Sequence, residues 1–380
     1  MVKNCNKNKI FSDFLSGIYG AMLLSAYSLC FCAVTGINIT VGLFCIAICA
    51  LFSVKSENKL FCPDVFLLMP VLFVVLSGTG KLLPISILCG TIFCCIFEKA
   101  FKSISIPDCV IGGAGLGLAL LATILLTNNY FGIGANGATA FDMLKSYRSL
   151  GFHPHFMGLL YGTITLFTMI TYPFKFRKLN KYIPAEFITL LIPLILNLFL
   201  NPQPELTTIN EAAFEKITLT DLSVFNRLSS VTSAEISVAI KGSFVLGLIL
   251  CFYKNKKESS FSFYGSNALS GVLCGFPVRP FEVKSYSFIS ALVTIILSCA
   301  VIILCPGIIS RLPMHSIGAL LIVSTWQKAP YKYVASAFKS KKAIHILIAI
   351  FIIVSFVVLD IFSACLLCLG SAFLLRRAKK

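Results

Sequence analysis

Few side chains in this sequence could carry out chemistry, and most of them stand alone among apolar residues. The Cys365-x-x-Cys368 spacing is that of redox and zinc sites, but no second pair or nearby histidine accompanies it. His153 and His155 flank one proline without a matching carboxylate pair, while His315 and His345 are isolated. Because an embedded enzyme needs converging nucleophile, base or metal ligands, the sequence argues against an enzyme, a metal site and a cofactor.

Lys241 is the side chain that most clearly requires a function. It lies inside the apolar stretch 234–253. A lysine inside a bilayer is costly, so it is a functional candidate by default. Glu235 and Glu282 are the carboxylates that we consider as its partners. We therefore group these three residues as candidates for ion coupling or for an electrostatic role.

Composition places these residues in a membrane protein. The 380 residues are 57% hydrophobic and only 12% charged, with a mean hydropathy of +0.91. Soluble domains carry about 25% charged residues. This excludes a soluble enzyme, a secreted disulfide scaffold and a disordered regulator. Most of the 16 cysteines lie in apolar segments, where a free cysteine is a small apolar residue.

The charge balance supports the same class. The chain has 32 Lys and Arg against 15 Asp and Glu, a net charge of +17. The basic residues cluster in short loops between apolar runs, which is the positive-inside pattern and does not indicate nucleic-acid binding. These loops set topology and contact anionic lipid. We expect both termini in the cytoplasm of a bacterial plasma membrane, no cleavable signal peptide, and the loop 201–233 outside.

About fourteen apolar segments could form membrane spans, at roughly 20 apolar residues for a full crossing. They lie near 12–35, 37–53, 62–77, 82–97, 107–127, 155–174, 182–200, 234–253, 262–275, 280–290, 289–308, 312–326, 343–358 and 360–375. The segments that start at Pro63, Phe263 and Pro280 are too short to cross alone. Short, Pro- or Gly-interrupted segments indicate discontinuous helices at a transport site.

Five strings, in order, resemble the SulP family of anion permeases, the bacterial and plant relatives of animal sulfate and anion exchangers. They are Ser-Leu-Cys-Phe-Cys-Ala-Val-Thr-Gly-Ile-Asn-Ile-Thr-Val-Gly-Leu-Phe at 28–44, Tyr-Ile-Pro-Ala at 182–185, Asn-Ala-Leu-Ser-Gly-Val-Leu-Cys-Gly-Phe-Pro-Val at 267–278, Leu-Pro-Met-His-Ser-Ile-Gly-Ala-Leu-Leu-Ile-Val-Ser-Thr-Trp at 312–326, and Val-Val-Leu-Asp at 357–360.

The resemblance implies an all-α polytopic membrane fold. It has about fourteen segments in two inverted seven-segment repeats, divided into a core and a gate domain. On this chain the repeats fall at about 10–201 and 234–376, within a single transport domain over 1–380. We expect no counterpart of the cytoplasmic STAS domain that the family usually carries.

The resemblance also implies half-helices at segments 3 and 10, whose facing N-termini hold the anion. Unpaired N–H groups and the helix dipole favour an anion there. The third starts at 61–64, which includes Cys62, Pro63 and Asp64, and the tenth starts within 277–285. The family's Ser-Arg-Ser string falls on Val283-Lys284-Ser285, so Lys284 would supply the charge and Ser285 a hydroxyl. Alternatively, Lys284 only snorkels at a helix end.

Other positions depart from the family pattern. Asp64 would compete with a substrate anion unless it is protonated or paired with Lys284. A frequent first-helix glutamine falls on Tyr27, and an aromatic on Phe31; these two could face the anion or simply pack. The mid-membrane acid of the eighth helix falls on Val245. Coupled symport through that helix is therefore disfavoured, exchange or uniport is favoured, and Lys241 could add positive potential near the anion.

These observations predict a secondary active or facilitative transporter of small inorganic or carboxylate anions, such as sulfate, bicarbonate, chloride or dicarboxylates, that works by alternating access. Two alternatives stay open. One is a degenerate, non-transporting membrane paralogue, and the other is a nucleobase-type transporter of the same architecture. The expected partners are the anion and the lipid bilayer, without nucleic acid; a homodimer is compatible with this architecture.

Overall fold

The computed structural model describes residues 7–56, 59–102, 106–134, 139–200, 208–209, 231–254, 260–273, 275–283, 286–339 and 343–377. The first half contains α1 (Lys7–Thr35), α2 (Ile39–Val54), β1 (Lys59–Pro63), α3 (Val65–Val74), α4 (Leu83–Lys102), α5 (Asp108–Phe131), α6 (Ala140–Leu150), α7 (Phe156–Lys175) and α8 (Ala185–Phe199). A π turn and a 3-10 turn join α3 to α4.

The second half contains α9 (Ser233–Tyr253), α10 (Ser260–Val272), β2 (Val278–Glu282), α11 (Phe288–Leu304), α12 (Met314–Lys328), α13 (Tyr331–Lys339), α14 (Ala343–Val358) and α15 (Ile361–Arg377). A single helical turn, Pro306–Ile309, lies between α11 and α12. Thirteen of the fourteen predicted segments fall on these elements, and the one predicted over 343–358 coincides with α14. Helices α6 and α13 were not predicted; both are amphipathic and too short to cross a membrane.

The apolar sequence forms helices that suit a bilayer. Five helical stretches in the described part of the chain are long and apolar enough to cross a membrane: Lys9–Thr35, Val65–Phe101, Asp108–Phe131, Phe156–Lys175 and Ser233–Phe252. Helices satisfy their own backbone hydrogen bonds, which lipid cannot do for them. The predicted all-α polytopic fold class is confirmed.

The helices pack in two groups. The core group consists of α1–α4 and α9–α11 around the two strands, and the flanking group consists of α5–α8 and α12–α15. The groups meet where α1 contacts α8 and α12, where α3 contacts α5 and α12, and where α9 contacts α15. The strands therefore lie close to the boundary between the two groups.

The packing order repeats between the halves of the chain. Helix α4 packs on α9 and α10, as α11 packs on α1 and α2. Likewise, α12 packs on α7 as α5 packs on α14, and α8 contacts α1 as α15 contacts α9. By these contacts α1, α2, α4, α5, α7 and α8 correspond to α9, α10, α11, α12, α14 and α15, whereas the contact of α3 with α9 has no equivalent among the described residues.

A strand and a short link occupy the place of the predicted tenth segment. We predicted a short helix over 280–290, but β2 covers its start, and Val283, Tyr286 and Ser287 are not helical. Pro277 and Pro280 disfavour helical conformations in the residues before them. Only five residues separate β2 from α11, and Lys284 and Ser285 among them lie outside the described residues.

Candidate functional site

Asp64 lies between the end of β1 at Pro63 and the start of α3 at Val65. It is extended, with φ −114° and ψ 136°, and its Oδ1 accepts a hydrogen bond of 2.9 Å from the backbone N–H of Phe66. Its carbonyl accepts from the N–H groups of Leu67 and Leu68. This is an N-cap, because a carboxylate satisfies donors that have no partner within the helix. The start that the sequence predicted for the third segment is therefore where α3 begins.

The second strand lies antiparallel to β1 and places Arg279 opposite Cys62. Asn267 fixes the start of β2: its Oδ1 accepts from the Val278 N–H at 2.9 Å, and its Nδ2 donates to the Val278 carbonyl at 3.0 Å. This buried amide, from the family-like string at 267–278, thus sets the position of Arg279. The next residue, Pro280, pairs with Phe61.

Two cations face the free oxygen of Asp64. Nη1 of Arg279 lies 3.8 Å and Nζ of Lys328 lies 3.9 Å from Asp64 Oδ2. Both distances are too long for hydrogen bonds but support ion pairing. The Asp64 side chain is only 7% exposed, so the surrounding medium screens these charges much less than bulk water would.

Tyr27 connects this cluster to the flanking group. The Lys328 Nζ lies 4.3 Å from the centre of the Tyr27 ring, a cation–π distance. The Tyr27 hydroxyl donates to Glu186 Oε1 at 3.1 Å and lies 3.3 Å from Ser324 Oγ. Phe31, one turn along α1, packs edge-on against Tyr27 and Phe276. Tyr27 thus lies between a cation and a carboxylate, with Phe31 packed against its ring.

These side chains surround a cavity of about 240 Å³. Its lining residues are Cys62, Asp64, Arg279, Pro280, Phe281 and Lys328. The cavity joins the N-terminal end of α3 to two cations, one from each helix group. Such an arrangement can bind a small anion, because N–H groups, the helix dipole and positive side chains all favour negative charge.

The structure places the predicted site residues in different surroundings. Cys62 and Asp64 line the cavity, Pro63 closes β1, and Tyr27 lies beside Lys328. Val283 is half-buried after β2. Lys284 and Ser285 lie outside the described residues, so their roles stay predictions.

The three candidates for coupling lie elsewhere. Lys241 is exposed on α9, with its Nζ 5.8 Å from the centre of the Phe362 ring. Glu235 forms an ion pair of 2.9 Å with Lys81 and closes the capping box of α9. Glu282 is exposed at the end of β2, opposite Lys59. The structure does not bring these three residues together or place them in the cavity lining.

Sequence reasoning missed Arg279, Lys328 and Glu186. Lys328 is one of the basic residues that we interpreted as topology signals, although it is the last residue of α12, two positions after Trp326. Arg279 lies between Pro277 and Pro280 and was not singled out. A charged residue at such a break in an apolar run was the available signal. Their convergence on Asp64 and Tyr27 depends on contacts over more than a hundred residues and could not be read from spacing.

No protein-family model and no curated protein sequence matches this chain. Solved structures do match. The transmembrane domain of a cyanobacterial bicarbonate transporter, BicA, has a TM-score of 0.69 at 15% identity, over 94% of this chain and 97% of that one. The structure of SLC26A9 has a TM-score of 0.70 at 12% identity, over 97% of this chain and 65% of that one.

The murine anion transporter Slc26a9 in its inward-facing state has a TM-score of 0.69 at 10% identity, over 100% of this chain and 69% of that one. The chain thus spans about two thirds of the length of SLC26A9 and nearly all of the BicA membrane domain. Together with the apolar helices, these matches identify an integral membrane protein with the fold of the membrane domains of BicA and SLC26A9.

Proposed function

We propose that this chain moves a small anion across a membrane by alternating access, as a secondary active or facilitative transporter. The observation that carries the proposal is the cavity at the start of α3, where Arg279 and Lys328 face a capped helix N-terminus. The transporters that share the fold carry bicarbonate or are described as anion transporters, which supports an anion as the substrate.

The position of the cavity supports alternating access, because both helix groups contribute charged residues to it. Asp64 and Arg279 belong to the core group, whereas Lys328 belongs to the flanking group. A rigid-body shift of one group against the other would change the Lys328–Asp64 distance and would open the cavity to one side at a time. Transporters built from repeats move in this way around a fixed site.

The substrate class follows from size and charge. A cavity of about 240 Å³ suits chloride, bicarbonate, sulfate or a short dicarboxylate. The guanidinium of Arg279 can bind a planar or tetrahedral oxyanion through two N–H groups, which an ammonium cannot do. Oxyanions are therefore expected to bind more tightly than chloride.

The experiment is uptake of each of these anions into proteoliposomes that contain the purified chain, beside empty liposomes. We expect saturable flux of at least one anion, and loss of that flux in Arg279→Gln. The control is Lys332→Gln, which removes an exposed cation of α13 outside the cavity. Absence of flux for every anion, in protein that unfolds cooperatively, would contradict transport and favour a non-transporting membrane protein.

A further inference from the structure

Asp64 occupies the place that a bound anion would take. One carboxylate oxygen caps α3, and the other faces Arg279 and Lys328. An inorganic anion at the same point would contact the same N–H groups and the same two cations. The protein therefore carries its own tethered carboxylate in the cavity, and a substrate anion must compete with it.

The charged side chains described in the cavity and directly beside it sum to zero. Arg279 and Lys328 offset Asp64, which they face, and Glu186, which lies behind Tyr27. Tyr27 and Cys62 also interact electrostatically with Asp64. From α9 and α10, the side chains that line the space beside Asp64 are the apolar Leu250 and Phe263. A monovalent anion would thus add an uncompensated charge to a poorly screened cavity, which is unfavourable.

One proton on Asp64 removes this conflict. The protonated carboxyl is neutral and no longer draws Arg279 and Lys328, so both cations become available to the anion. A protonated carboxyl also keeps an oxygen that can accept the Phe66 N–H, so the cap of α3 persists. Protonation of Asp64 removes one negative charge from the cavity and the bound substrate anion adds one, so the net charge of the cavity stays the same.

We propose that Asp64 is the proton-coupling residue and that each monovalent anion enters the cavity together with one proton. The proton and the anion come from the same aqueous side. An O–H bond forms on Asp64 as its ion pairs break, and on the other side the anion leaves, the O–H bond breaks and the ion pairs form again. The inference rests on the proposed anion transport, and it assigns to Asp64 the coupling that Lys241 and Glu235 do not supply from their positions.

The test measures chloride binding and transport, because chloride does not titrate between pH 5 and 8. In detergent, we expect chloride to raise the unfolding temperature of the wild type more at pH 5.5 than at pH 7.5. In proteoliposomes, we expect an inward proton gradient to drive chloride uptake, with acidification of the lumen reported by an enclosed pH dye.

The decisive variant is Asp64→Asn. Asparagine caps helices as well as aspartate does, so the fold is kept while the competing charge is removed. We expect chloride to bind at least about fivefold more tightly at pH 7.5 than in the wild type, a typical size for a coupling between two sites. We also expect binding to lose its pH dependence and chloride entry to lose its accompanying proton.

The matched control is Asp360→Asn. Asp360 also caps a helix, since its Oδ1 accepts the Ser363 N–H at 2.9 Å at the start of α15, but it does not line the cavity. This variant should keep the wild-type pH dependence. Chloride binding or flux that is independent of pH in the wild type, or coupling that survives in Asp64→Asn, would overturn the role of Asp64 while leaving anion transport intact. Failure of chloride and sulfate to bind at either pH would contradict both proposals.

Discussion

The ends of β1 and β2 meet at the same cavity but are built differently. After β1, Asp64 leads directly into α3 and caps it. After β2, the equivalent position is Val283, and no helix follows among the described residues before α11 begins at Phe288. The first strand therefore supplies a helix N-terminus and a carboxylate, whereas the second supplies the cation Arg279.

Under the proposed function, the described residues of this site supply one helix N-terminus for the anion. Two facing helix N-termini would provide about half a positive charge each. Here the described part of the second half provides side-chain charge instead, from Arg279 on β2 and Lys328 at the end of α12. Unlike a helix dipole, these side-chain charges can change position when one helix group moves against the other.

The largest expected effect distinguishes the two basic residues around β2. Arg279→Gln should weaken anion binding at least about thirtyfold, since it removes the two-pronged, charge-assisted contact that a guanidinium makes with an oxyanion and leaves the nearly buried Asp64 facing one cation fewer. Lys284→Ala is the matched variant from the same segment. Thermal-shift titrations with sulfate would compare them. A larger loss of sulfate affinity in Lys284→Ala would show that Lys284, as the family resemblance implies, and not Arg279, is the main cation of the site.

Lys328→Met should have the next largest effect. Methionine preserves most of the apolar stem but removes the charge that faces Asp64 and the Tyr27 ring. We expect anion binding to weaken about tenfold, because the ammonium is a single point charge that cannot bind an oxyanion through two N–H groups as the Arg279 guanidinium can. Lys332→Met, at an exposed position on α13, is the control. Equal affinities in the two variants would place the flanking group outside the binding site.

Much of this fold could be predicted from the sequence, whereas most of the site could not. The start of α3 at Asp64 was predictable because proline and aspartate favour a helix start. The lack of a helix among the described residues between β2 and α11 was not predicted, since the family resemblance implied one and Lys284 was assigned to it. Arg279 and Lys328 were missed because their meeting point depends on how α12 packs against α1 and α3, which no local pattern encodes.

A smaller effect is expected at the N-terminus of α11, the first described helix after β2, and it tests whether that N-terminus stabilises the fold without binding the anion. Ser287 caps α11, and its Oγ accepts from the Ser290 N–H at 3.3 Å. Ser287→Ala should lower the free energy of unfolding by about 1 kcal/mol, the usual cost of a lost cap, without changing anion affinity. Thermal unfolding with and without sulfate measures both. Weaker sulfate binding would show that α11 holds the anion as α3 does, and the contrast between the two strand ends would disappear.

The smallest effect concerns the hydroxyl that links the cavity to α8. Tyr27→Phe keeps the ring beside Lys328 but removes the hydrogen bond to Glu186. A single hydrogen bond contributes about 0.5–1.5 kcal/mol net, so we expect anion affinity to change by about threefold. Tyr286→Phe is the control, because it removes another buried hydroxyl, which donates to Thr294 at 2.9 Å. If both variants lower stability equally and neither alters affinity, Tyr27 only packs. If only Tyr27→Phe alters affinity, then Glu186 influences the charge balance around Asp64 through this hydroxyl, although it lies behind the cavity lining.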